Sequence, residues 1–377
     1  MIGKPAATAA LVITMLLSGV GTYIYEAAHQ TELRKVAKAP TKIAPAPPAY
    51  LLSGTLYLAQ GGALYSLGGG VFKSVTPAGG WTQPSLLPNS SSLLAVKRDQ
   101  SYSNVYQLGL DGSVQSQLTN NAGSRFNSDP GANHWSFYPR FSPDEKTLYM
   151  SYDSAKQLDY EVDSAIWGLP IGATINQGRR WTSPNQYTGG DVQPLPLPGG
   201  GLIYVKYDED TDGKMASELW LTTRPLSAGK ALTTFDEDCS QPALSPDGTM
   251  LAMICSRKQQ QSQLVIAPFD GSSLGDRRVL VSDQWVAQPA WSPDGAGIAY
   301  LAPAGSGGLF QLWWLAKGAY APPPPGPSPS PTPTASAARK GKPTPKPTAA
   351  PAPVPVKPVQ ITTDVGFDAT SSIAWHA

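Results

Sequence analysis

Three histidines, His29, His134 and His376, are all the imidazole chemistry this chain has. A nucleophile–histidine–acid triad needs an imidazole held against a serine or cysteine, and a zinc centre needs several nitrogen or sulfur donors converging on one point. His29 flanks an apolar N-terminal run and His376 is one residue from the end of the sequence, which leaves His134 in TNNAGSRFNSDPGANHWSF. No Gly-x-Ser-x-Gly elbow accompanies it, so His134 and Arg125 of the same segment are read as partner-binding candidates and not as catalytic groups. Asp208, Asp210 and Asp212 match the D-x-D-x-D-G start of a calcium loop, in which alternate carboxylates converge on a hard cation. The twelfth position is Leu219 in place of a bidentate glutamate, so the three acids are weak calcium candidates, and they also join the partner-binding set. No cofactor is expected. Trp81, Trp135, Trp181, Trp285, Tyr187 and Phe367 offer either a sugar-stacking rim or core packing, and packing is the favoured reading.

These side chains must be positioned by short strands. Gly numbers 37 and Pro 38 in 377 residues, and charged residues make up 15%, so helix breakers recur while helix formers are scarce. The net charge of +1 hides an asymmetry, because residues 1–42 and 321–358 are basic and the remainder is acidic. An acidic body without a basic face argues against nucleic-acid binding.

One theme organises that body. It reads QPALSPDGTMLAMICS from Gln241, QPAWSPDGAGIAYLAP from Gln288 and YPRFSPDEKTLYMSYD from Tyr138, with weaker copies from Gln83 and Gln193. The prolines Pro84, Pro139, Pro194, Pro242 and Pro289 recur every 47 to 55 residues, the length of a propeller blade. An apolar strand ends at Ser-Pro-Asp-Gly, where Pro presets one φ and Gly accepts the positive φ that follows. A second strand returns, a polar loop leads to a third, and a fourth forms the outer edge. Taking Leu244 opposite Met250 around the turn places Cys239 opposite Cys255, and a disulfide between them is expected.

Ser372-Ile-Ala-Trp-His repeats the first strand of a unit but stops at Ala377, while GTLYLAQ, ALYSL and FKSVT near the N-terminus supply second, third and fourth strands. The fold class is therefore all-β, a six-bladed propeller closed by a C-terminal strand joining N-terminal strands. The QPxWSPDGxxIAY units closely resemble the WD40-like repeats of TolB-type six-bladed propellers, over residues 54–320 and 359–377. This resemblance implies an exported bacterial protein that binds other proteins or serves in a larger assembly. TolB's own α/β domain is lacking. Related propellers also precede a peptidase domain in the prolyl-oligopeptidase family, and no residues remain here for one.

The ends give an address. Residues 1–25 hold an uncharged run from Ala6 to Tyr25, long enough to span a hydrocarbon core and without a good cleavage site, so it reads as a membrane anchor. Removal as a signal segment, giving a secreted protein, is the alternative. Arg34, Lys35, Lys38 and Lys42 follow the run and favour an inside C-terminus by charge, but a disulfide requires the oxidising side. Residues 26–53 form a Pro-rich stalk, and residues 321–358, with 15 prolines, form an extended insert within the fifth blade.

The expected protein is a membrane-anchored, extracytoplasmic propeller that binds an unknown protein partner and is not an enzyme. A carbohydrate-binding surface protein is one alternative. A propeller lyase or lactonase is the other, although the innermost strands QPSLL, YPRFS, QPLPL, QPALS and QPAWS offer no His or acid for a channel metal. Long loops at 119–137, 152–165, 182–192 and 207–217 share one face and are the expected recognition surface.

Overall fold

The computed structural model describes residues 52–123, 130–153, 163–257, 260–305, 308–320 and 357–377. The expected N-terminal anchor, most of the expected stalk, Arg125 and nearly all of the expected insert at residues 321–358 lie outside them. Among the described residues, no helix is long and apolar enough to cross a membrane.

The chain builds six four-stranded antiparallel sheets. Strands β1 (Thr55–Gln60), β2 (Ala63–Gly68) and β3 (Val71–Ser74) come first, followed by the first complete blade, β4 (Trp81–Leu86), β5 (Leu93–Arg98), β6 (Ser103–Leu108) and β7 (Val114–Gln117). The second is β8 (Ser136–Phe141), β9 (Thr147–Tyr152), β10 (Ala165–Pro170) and β11 (Arg179–Arg180). The third is β12 (Asp191–Pro196), β13 (Leu202–Glu209), β14 (Met215–Thr222) and β15 (Lys230–Ala231). The fourth is β16 (Cys239–Leu244), β17 (Met250–Cys255), β18 (Gln263–Pro268) and β19 (Arg278–Val281). The fifth is β20 (Ala287–Trp291), β21 (Gly297–Pro303), β22 (Phe310–Ala316) and β23 (Val359–Gln360). The last strand, β24 (Ala374–His376), pairs with β1 and completes a sixth blade in the order β24-β1-β2-β3.

Second strands are buried on both faces, as β21 is throughout, because each blade is covered by a neighbour on either side. The cores therefore lie between blades. Ile203, Val205 and Leu219 pack on Leu251, Met253 and Val265 across the boundary of the third and fourth blades. Leu56, Leu58 and Trp375 of the sixth blade pack on Ala299 and Leu301 of the fifth.

Closure is pinned beyond the Thr55↔His376 and Tyr57↔Ala374 pairs. The Trp375 indole donates to the Ser53 carbonyl at 2.8 Å, and the Ser53 hydroxyl donates to Asp294 at 2.7 Å. Gly54, at φ 75°, faces the His376 carbonyl so closely that any Cβ there would collide with it. The incoming chain thus meets the propeller on the side of the Ser-Pro-Asp-Gly turns.

Those turns follow the expected chemistry. Asp247 accepts hydrogen bonds from the Ser245 hydroxyl and the Thr249 amide and hydroxyl, and Gly248 takes φ 73°. Where Gly is missing, Glu145 and Ser90 adopt φ 58° and 57° in its place. The register around Asp247 differs from expectation: Leu244 faces Leu251, not Met250, and a bulge between Ser240 and Ala243 shifts the pairing back so that Cys239 faces Cys255. The two cysteines are joined as a disulfide, with Cα atoms 4.0 Å apart.

Candidate functional site

The bulge in the fourth blade recurs in every complete blade. Register slips between Thr82 and Ser85, Phe137 and Arg140, Val192 and Leu195, Ser240 and Ala243, and Ala287 and Ala290. At each bulge the residue before the repeat proline is left-handed: Gln83, Tyr138, Gln193, Gln241 and Gln288, at φ 51°, 53°, 54°, 55° and 50°. Non-glycine residues resist this conformation, at roughly 1–3 kcal/mol each, so something must hold it.

A belt of hydrogen bonds around the central channel does so at four of the five, Gln83, Tyr138, Gln241 and Gln288. The bulge frees the backbone N–H of the left-handed residue from the ladder and points it at the preceding blade. Tyr138 N–H donates to Gln83 Oε1 at 2.7 Å, Gln241 N–H to Gln193 Oε1 at 2.7 Å, and Gln288 N–H to Gln241 Oε1 at 2.6 Å. The sixth blade substitutes serine: Gln83 N–H donates to Ser371 Oγ at 2.7 Å, and Ser372 Oγ donates to the Pro84 carbonyl. A backbone N–H can only donate, so the amide oxygen of each glutamine is fixed toward it and the NH2 group faces elsewhere.

Inside the belt lies a cavity of about 240 Å³. Its wall mixes apolar side chains, Leu195, Leu244, Trp291 and Trp375 among them, with the polar groups of Tyr138, Gln193, Gln241, Gln288 and Ser372, and it carries one charged side chain, Arg140. Arg140 occupies the position two residues after the left-handed one, which in the fourth and fifth blades is Ala243 and Ala290. The small side chains leave the room that the guanidinium borders. Among the described residues, no ion pair or hydrogen bond reaches that guanidinium, and burial pulls it down to about 10, still charged at neutral pH. Tyr138 and Tyr207 carry hydroxyls raised by burial, Tyr207 to about 12 with Tyr138 and Asp238 adding to the effect.

The loop-side residues are placed differently. His134 Nδ1 lies 3.2 Å from Asp153 Oδ1, which also accepts from the Trp135 amide, and Asp153 is 1% exposed. The acid orients the imidazole, but no serine, threonine or cysteine side chain is hydrogen-bonded to it among the described residues. Asp208, within β13, accepts from the Asn185 side-chain amide and so ties the 182–192 connection to that strand. The segment 207–217 is not the loop expected: β13 and β14 run through it and leave only a tight turn, whose Asp210 accepts from the Asp212 and Lys214 amides. That use separates the calcium candidates, and among the described residues no three His, Cys, Asp or Glu side chains are grouped to hold a metal ion. Of the aromatic set, Trp81 and Phe367 are buried and Trp181 packs edge-on to Tyr149, whereas Tyr187 is 69% and Trp285 55% exposed.

Sequence reasoning missed the belt and Arg140. The signals were present: Gln precedes the repeat proline in four of five units, and Arg140 stands where the other units carry Ser, Leu or Ala.

The architecture is a TolB-like six-bladed β-propeller. The crystal structure of TolB from Acinetobacter baumannii is similar with a TM-score of 0.52 and 17% identity, covering 71% of this chain and 62% of that one. A puromycin-hydrolyzing peptidase from Mycobacterium tuberculosis is similar with a TM-score of 0.45 and 16% identity, over 74% of this chain and 48% of that one. A protein of Bacillus subtilis (strain 168) named uncharacterized peptidase YuxL is 32% identical over 119 residues, which make up 31% of this chain and 18% of that protein. No protein-family model matches the chain. The expectation that the chain is not an enzyme is corrected by the peptidase relative. The lack of His and acid on the innermost strands bears on metal chemistry within the channel and has no bearing on peptide hydrolysis elsewhere.

Proposed function

We propose that this chain is the peptide-recognising propeller of a peptidase-type protein, held by its N-terminal segment outside the cytoplasm. The 119-residue likeness to a protein named a peptidase carries the reading. The channel supports it, since a small chamber that mixes apolar side chains with a few fixed donors suits part of a peptide chain better than a folded surface. An oxidising compartment agrees with the Cys239–Cys255 pair.

The test is to incubate the full-length chain with a mixture of synthetic peptides of graded length and follow both depletion and capture by mass spectrometry. Cleavage or saturable capture of a subset is the expected result. A folded protein that neither cuts nor retains any peptide rejects the reading.

A further inference from the structure

Arg140 borders the mixed polar and apolar wall of the cavity, half-buried and without a counter-ion among the described residues. A cation so placed is partly withdrawn from water and is favoured by an anionic ligand that pairs with it, because even partial burial of an unpaired charge carries a desolvation cost that a neutral side chain avoids. The three following blades show the neutral alternative, with Leu195, Ala243 and Ala290 at the matching position. A second donor faces the same cavity: Gln241 uses its oxygen to accept from Gln288, and its NH2 group has no acceptor among the described residues. A forked cation, an added amide donor, no acidic side chain in the wall and a cluster of Leu244, Trp291 and Trp375 together describe a complement to a carboxylate attached to an apolar group.

We propose that the central cavity binds the free C-terminus of a peptide whose last residue is apolar, with the carboxylate on Arg140 and Gln241 and the side chain against Leu244, Trp291 and Trp375. One cation balances one carboxylate, whereas a doubly charged phosphate would leave net charge in the chamber. At about 240 Å³ the cavity lies just below the roughly 300–1,000 Å³ of drug-sized sites, so it takes a terminal residue and not a folded segment. The inference deepens the peptide reading above by naming the group that is recognised.

The experiment is calorimetric titration of the full-length chain with N-acetyl-Ala-Leu as the free acid, the same dipeptide as its amide, and N-acetyl-Leu-Asp amide, which carries its carboxylate on a side chain. The free acid is expected to bind about ten- to a hundred-fold more tightly than its amide, the ratio typical of a charge-assisted hydrogen bond. Arg140→Met should remove that difference while remaining folded by circular dichroism. Equal binding of acid and amide to the unaltered chain overturns the proposal, as does full acid preference in the methionine variant. Tighter binding of the Asp amide rejects the C-terminal source. Peptide cleavage without acid preference would sink this inference alone, and acid preference without capture or cleavage of longer peptides would sink the functional reading alone.

Discussion

The backbone N–H of Gln288 donates to the side-chain oxygen of Gln241 at 2.6 Å, across the boundary between the fourth and fifth blades. The bond does two things. It rewards the left-handed backbone at Gln288, and it fixes which end of the Gln241 amide faces the channel. Gln241→Leu should leave the Gln288 donor unsatisfied and cost about 1–3 kcal/mol. Urea unfolding of the two proteins checks this, and an unchanged midpoint would show that water replaces the bond.

A second expectation concerns Arg140 in the absence of ligand. Replacement by Met removes a half-buried charge that has no counter-ion among the described residues, so the variant should melt at or above the parent temperature. Clear destabilisation on differential scanning calorimetry would mean that the guanidinium has a structural partner.

The pair Cys239 and Cys255 closes a loop across a sequence separation of 16 residues. A bridge over a loop of that size contributes roughly 3 kcal/mol by limiting the unfolded chain. Alkylation without reductant should yield linked peptides by mass spectrometry, and Cys239→Ala with Cys255→Ala should lower stability by about that amount.

Acid should weaken the propeller through its turns. Asp144, Asp247 and Asp294 are held below the usual carboxylate range, first by the hydroxyls of Ser142, Ser245 and Ser292 and then by turn amides. A depressed folded-state value means that the stabilisation is complete above the unfolded value near pH 4 and drains away as pH falls through the folded one. Burial pushes Asp191 and Glu218 the other way, so their contribution is lost as pH rises through their raised values. Melting temperature should therefore drop below about pH 4, and Asp247→Asn with Asp294→Asn should flatten that drop. An identical slope in the double variant would assign acid sensitivity elsewhere.

The Pro-rich insert leaves the fifth blade after β22 and returns at β23, where Trp314 pairs with Val359. Arg278 donates to the carbonyls of Ala319 and Tyr320 and fastens the departure point. Loop length alters closure by only ~0.6 kcal/mol per doubling. Replacing residues 321–356 with a short Gly/Ser linker should therefore preserve a single cooperative transition in thermal unfolding, and a broadened or split transition would show that the insert packs on the body.

How far the sequence could be read depended on which residues carry their own backbone chemistry. Ser-Pro-Asp-Gly announces its turn because Pro and Gly restrict or permit φ by themselves, and Ile373-Ala-Trp-His could be matched to a distant first strand because the repeat supplied the template. The bulge at Gln241 was hidden, since a residue before proline is ordinarily extended and its left-handed φ is paid for by a side chain 48 residues earlier. Without the bulge, the pairing of Leu244 was misjudged by one residue. The acids at Asp208 to Asp212 looked like metal ligands because a tight hairpin and a calcium loop both need a turn rich in Asp and Gly. Arg140 was overlooked because the innermost strands were searched for His and acids alone.

The bond between Trp375 and Ser53 joins positions 322 residues apart in sequence. During synthesis on the ribosome, β1, β2 and β3 emerge first and must wait with one edge open until β24 has been made. Five blades can form as they appear, but the ring can latch only after translation has passed the last strand. The unlatched sheet is then the species that chaperones meet, and the slowest step in maturation should depend on the C-terminal residues far more than on any blade between.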